Sequence, residues 1–158
     1  MAETGSKSKT LSDRSSNSKL LDPPTFFLDR ALGKRKVADA LRAIGALVEV
    51  HEDHFPSDAR DVDWLSEVGK RGWVVLTKDR HIRYRASEKQ ALIKAGIAVF
   101  VLTSGNLTGD EMASAFIAAL PRMKKLLRSL KPPFIAKVTR SGIVTLLDTP
   151  KHHSRKRG

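Results

Sequence analysis

The stretch that decides the fold is Trp73-Val74-Val75-Leu76-Thr77-Lys78-Asp79. Its first five residues form a nearly unbroken apolar run. That is the pattern of a strand covered on both faces in a parallel sheet, and an acid closes it. Three further runs share this character: Thr25-Phe26-Phe27-Leu28, followed by Asp29; Leu47-Val48-Glu49-Val50-His51, followed by Glu52-Asp53; and Ile97-Ala98-Val99-Phe100-Val101-Leu102.

Between these strands the apolar spacing changes to helical. Val37, Ala38, Leu41 and Ile44 predict a helix over about 34–45, stopped at Gly45. Asp61 is expected as the N-cap of a second helix, with Asp63 in its first turn and Trp64, Leu65 and Val68 facing inward. A third helix is expected from Ser87 to Ala95, ended by Gly96. A fourth opens at Thr108-Gly109-Asp110-Glu111, and Pro121 is expected to kink or break it. Phe134–Thr139 and Ile143–Leu147, joined through Arg140-Ser141-Gly142, read as a β-hairpin. The expected class is therefore α/β: a mainly parallel central sheet flanked by helices, with a C-terminal β-hairpin. The expected division is a disordered tail over 1–22, a folded domain over 23–148 and a basic disordered tail over 149–158.

With 158 residues, 41% of them hydrophobic and 29% charged, the chain suits one globular domain. It has no cysteine, which excludes disulfides and thiolate metal sites. No apolar run approaches the roughly 18 residues of a membrane span, and the N-terminus lacks the apolar stretch of a secretory signal. A cytoplasmic location and no membrane association are expected. The net charge of +12 favours nucleic acid, an anionic surface or an acidic protein as partner. Charge is also segregated. Seven Lys/Arg and no acid lie between Arg122 and Arg140, whereas acids gather between Asp29 and Asp79.

Ligands of α/β sheets bind outside the carboxyl ends of the strands. Carboxylates converging there can hold hard divalent cations, which serve phosphodiester hydrolysis. Asp29, Asp61 and Asp79 are the candidate core ligands, with Asp53 and Asp63 as contributors. Each also has a plainer reading: Asp61 as a helix cap, Asp63 as a solvated first-turn acid, Asp53 as a turn residue, Asp29 and Asp79 as caps. Lys78, Arg80, Arg83 and Arg85 stand beside Asp79 as candidate phosphate contacts or as a solvated basic loop. The basic stretch Arg122–Arg140 either extends a nucleic-acid-binding face or is solvated helix and hairpin. His51 and His54 offer a rival zinc site, with His51 expected to point outward from its strand. Trp64 and Trp73 read as core. Glycine-rich phosphate loops are absent from the sequence.

The segments FFLDRALGKRKVADALRAIGALVEVHEDHFP (26–56), DARDVDWLSEVGKRGWVVLTKDRHIR (58–83), GIAVFVL (96–102) and PFIAKVTRSGIVTLL (133–147) resemble PIN-like domains of the VapC toxin type. The resemblance spans about 25–147, and the LDR and VVLTKD pieces are its most specific parts. It implies an endoribonuclease dependent on Mg²⁺ or Mn²⁺, with RNA as substrate and a cognate antitoxin protein as partner. By position it places Asp29, Asp61 and Asp79 in the site and points to Asp53. Val62 separates Asp61 from Asp63, so either acid is a candidate for the nearer ligand. Asp110 and Glu111 are the later acids available.

Rival readings are a non-catalytic nucleic-acid-binding module of the same fold, an interaction protein with a basic surface, and a receiver-like phosphoacceptor. The Met- and Leu-rich face around Met112–Leu127 is either core or the surface of a homodimer.

Overall fold

The computed structural model describes residues 23–32, 35–56, 58–78 and 86–148. Both expected tails lie outside them. Among the described residues, six strands form one sheet: β1 (Thr25–Leu28), β2 (Leu47–Val50), β3 (Val74–Thr77), β4 (Ala98–Leu102), β5 (Phe134–Val138) and β6 (Val144–Asp148). Their order is β2-β1-β3-β4-β5-β6. The first five are mutually parallel, and β6 returns antiparallel to β5 as the hairpin. Four helices accompany them: α1 (Lys36–Ala43), α2 (Asp61–Arg71), α3 (Ala86–Ala95) and α4 (Gly109–Ser129). The expected α/β class is observed.

Alternation along the strands divides the interior in two. Phe26, Leu28, Val74, Leu76, Phe100 and Phe134 face α1 and α4. Phe27, Val75, Val99, Val101 and Ile135 face α2 and α3, meeting Trp64, Leu65, Val68 and Leu92. Phe26 and Phe27 are each fully buried on opposite faces. At about 1.5–3 kcal/mol per buried phenyl side chain, that pair alone commits β1 to the sheet interior. Trp64 is core, as expected.

Two glycines permit close packing. A Cβ on Gly69 of α2 would lie 2.6 Å from both the Cβ and the carbonyl oxygen of Ala95 on α3. Gly142, in the hairpin loop, has φ +90° and sits against Ala118 of α4, where a Cβ would fall 2.6 Å from the alanine Cβ.

Three expectations need correction. β2 ends at Val50, and His51 opens a short 3₁₀ turn (His51–Asp53) with its ring buried. The ring lies 5.5–6.0 Å, centroid to centroid, from Phe27, Phe55 and Trp64. Val48 and Val50 face α1 and α4, so alternation puts His51 on the opposite face, and that face is covered by Phe27, Phe55 and Trp64 where solvent was expected. α2 begins at Asp61 itself, with Arg60 as the N-cap. The Arg60 carbonyl accepts from the amides of Asp63 (3.0 Å) and Trp64 (3.3 Å), which draws the helix start one residue earlier. Finally, α4 runs through Pro121 unbroken for 21 residues. Met112, Phe116, Leu120, Met123 and Leu127 are buried in the sheet-facing core. Burial of that stripe outweighs the roughly 3 kcal/mol cost of an interior proline. The same burial makes this face core, so it offers no surface for pairing subunits.

Candidate active site at the carboxyl edge of the sheet

The strand order turns in opposite directions from β1, toward β2 on one side and β3 on the other. A crevice opens at such a switch point, outside the carboxyl ends of the two diverging strands. Asp29 follows β1 at this position and is only 6% exposed. Its amide donates to the Leu76 carbonyl at 3.0 Å, so the residue extends the β1–β3 ladder. The Thr77 hydroxyl donates to Asp29 Oδ2 at 2.7 Å, and Thr77 is fully buried. A charge-assisted bond of this length orients the carboxylate.

Thr77 has no place among the residues singled out from sequence. The available signal was a hydroxyl ending a fully apolar strand, since a buried hydroxyl requires a partner. The same logic assigns Thr77 to positioning: it touches Asp29 and fixes its rotamer.

Other candidates reach the same edge by different routes. Asp53 ends the 3₁₀ turn after β2, beside the end of β1, and is exposed. Asp61 and Asp63 open α2, which begins at the carboxyl edge because it leads back to parallel β3. Trp64, one turn inside α2, fixes this start against His51 and Phe27 at 5.6 and 5.4 Å. Asp63 is exposed and paired with Arg60 at 3.2 and 3.3 Å. That hydrogen bond raises the Arg60 pKa further, with the carboxylate's charge adding to it. Lys78 follows β3 and is half-buried. Asp79, Arg80, Arg83, Arg85 and the Asp61 side chain lie outside the described residues.

Asp110 and Glu111 are engaged in local structure at the start of α4. Asp110 pairs with Lys36 of α1 at 3.3 Å. Glu111 completes a capping box: its carboxylate accepts from the Thr108 amide at 2.9 Å, while its amide donates to Thr108 Oγ1 at 3.1 Å. The backbone bond from Thr108 leads in holding the Glu111 carboxyl below the usual range, and Arg140, 2.8 Å away, assists. His54, the other half of the rival zinc pair, binds Glu49 at 2.8 Å and packs on Trp73, while His51 is turned into the aromatic cluster.

The basic stretch is divided by the fold. Arg140 follows β5 at the carboxyl edge. Arg122 reaches the same hairpin loop, donating to the Gly142 carbonyl at 3.3 Å, whereas Lys125 and Arg128 ride the last turns of α4, which runs from that edge toward the amino edge before β5. Roughly 30 Å of helix separates its two ends.

Hard carboxylate oxygens are the donors that Mg²⁺ and Mn²⁺ take. Asp29 meets this requirement and is the one buried carboxylate among the described residues. Among those same residues, no three His, Asp or Glu side chains stand close enough together to hold an ion. Asp29 is thus one fitting donor at the crevice.

A parallel sheet with a buried aspartate at its switch point suits a PIN-like domain. The chain belongs to that family: the PIN-like domain matches residues 24–104, half of the chain and all of the β1–β4 portion. It is also 28% identical over 132 residues to the Mycobacterium tuberculosis protein named "Putative ribonuclease VapC45", covering 81% of this chain and 95% of that protein. No solved structure matches the chain. Among the described residues, no helix is long and apolar enough to cross a membrane.

Proposed function

We propose that this protein is a metal-dependent endoribonuclease that hydrolyses RNA phosphodiester bonds, and the toxin of a toxin–antitoxin pair. The observation carrying the reading is the buried Asp29 carboxylate, oriented by Thr77 at the switch point of a PIN-like sheet. Similarity to a protein named a ribonuclease supports the reaction class, and its VapC name supports the pairing with a cognate antitoxin. The folded unit of this reading is 23–148, acting in the cytoplasm.

Asp29, Asp61 and Asp79 would hold Mg²⁺ or Mn²⁺, with Asp53 and Asp63 contributing from the neighbouring turn and helix. A divalent cation bound there supplies activation of water and neutralisation of charge on the scissile phosphate. Asp29 holds its ligand oxygens in place because its backbone belongs to the sheet and its carboxylate is fixed by Thr77. Lys78, Arg80 and Arg83 would draw the RNA backbone toward the edge and fix its register.

Cleavage of total cellular RNA, with Mn²⁺ or Mg²⁺ against EDTA, tests the reading. Metal-dependent cleavage lost in Asp29→Asn and Asp79→Asn, with folding retained, is expected. Salt-sensitive RNA binding without cleavage under either metal would replace it with a non-catalytic binding module.

A further inference from the structure

β6 forms one border of the sheet, and among the described residues no strand pairs with its outer side. The Thr139 amide donates to the Ile143 carbonyl at 3.0 Å where the hairpin closes. Antiparallel pairs alternate between hydrogen-bonded and open. From that closing bond, Lys137↔Thr145 is a bonded pair, whereas Val138↔Val144 and Ala136↔Leu146 are open. Val144 and Leu146 therefore direct their amides and carbonyls away from the sheet. Edge strands are usually guarded by charge, proline or a bulge; Val144-Thr145-Leu146-Leu147 carries no charge and no proline, and the strand's single charge is its last residue, Asp148. The one register irregularity places an extra residue, Leu147, in β6 against the Ile135–Ala136 step of β5, so the regular edge open to pairing is Val144–Leu146.

Apolar surface and positive charge meet at this edge. Ile143, Leu146 and Leu147 are 45%, 43% and 37% exposed. Arg122 donates to the Gly142 carbonyl at the head of β6, and half-exposed Lys137 lies opposite Thr145. From Arg122 to Leu147 the sequence contains no Asp or Glu. We infer that the β6 edge takes an extended acidic segment of a partner protein, added to the sheet as a further strand. Backbone pairing would come from Val144 and Leu146, apolar side chains would cover Ile143 and Leu147, and flanking acids would meet Arg122 and Lys137. A second copy pairing β6 with β6 would place these cations against their own kind. RNA would leave the exposed leucines and isoleucine uncovered. The inference does not depend on the nuclease reading.

The probe is a labelled peptide, Asp-Glu-Val-Thr-Val-Ile-Val-Glu-Asp, titrated onto the full chain by fluorescence anisotropy, with a copy whose acids are lysines as control. Saturable binding of the acidic peptide alone is expected, with slowed amide exchange at Val144 and Leu146. Leu146→Pro removes an outward amide and should weaken binding by about tenfold or more. Leu146→Thr keeps that amide, reports on folding and should retain binding, and Lys137→Glu should weaken it. Absence of saturation, equal binding of the lysine peptide or insensitivity to Leu146→Pro in a folded variant would overturn the inference. So would a wild-type dimer that Leu146→Pro converts to monomer, or displacement of the peptide by single-stranded RNA.

Discussion

The Thr77 hydroxyl and the Asp29 carboxylate meet at 2.7 Å across the β1–β3 boundary, both removed from solvent. Replacing Thr77 with valine preserves shape and deletes the donor. The loss should destabilise the fold by about 1–3 kcal/mol, seen in urea unfolding. If the nuclease reading holds, metal affinity or cleavage should fall by about 10–100-fold, as for other partners that orient metal ligands. Thr77→Ser should restore most of both, whereas an unchanged Thr77→Val would remove the positioning role.

Gly69→Ala sets two effects against each other. Alanine favours a helix by about 1 kcal/mol over glycine. The new methyl, however, would meet the Ala95 backbone oxygen at 2.6 Å, and that atom cannot rotate away. Overpacking costs about 1–3 kcal/mol, so net destabilisation is expected in thermal or urea melts. A stabilised Gly69→Ala would mean that α2 and α3 separate easily.

Pro121→Ala should act in the opposite direction. The residue is exposed within α4 and removes one helical hydrogen bond. Substitution should stabilise the protein by up to about 3 kcal/mol, raising the urea midpoint without altering its slope.

The Thr108–Glu111 capping box gives a pH signature. Glu111 has its carboxyl pKa lowered in the folded state, chiefly by the Thr108 amide. Its contribution is therefore present above the ordinary glutamate range and lost as pH falls through the lowered one. Glu111→Gln should be less stable than wild type at neutral pH, and the difference should shrink on acidification. Thr108→Ala should cost about 1 kcal/mol by removing the other half of the box.

Much of the architecture was legible because β1, β3 and β4 are buried on both faces and α1, α2 and α4 carry periodic apolar stripes. Val74–Thr77 and Ala98–Leu102 fall inside the apolar runs that predicted them. What escaped was decided by tertiary packing. His51 falls on the face of its strand opposite Val48 and Val50, and only the packing of Phe27, Phe55 and Trp64 makes that face an aromatic pocket where solvent was expected. Pro121 opposes a helix locally, and five buried side chains override it. At the site, Asp29 could be located by its strand end. Its link to Thr77 could not, because 48 residues separate them and only the β1–β3 pairing brings them together.

The Asp29 amide bond to Leu76 also bears on how the site fails. Local openings in proteins begin at fraying ends and solvated turns, while central ladders open only with the whole molecule. Asp53 lies in a short turn and Asp63 in a first helical turn, so both can depart while the sheet persists. Asp29 cannot. Gentle heating should therefore loosen the periphery of the crevice well before its anchor, leaving a folded protein that keeps Asp29 in place while the turn and helix start beside it come and go.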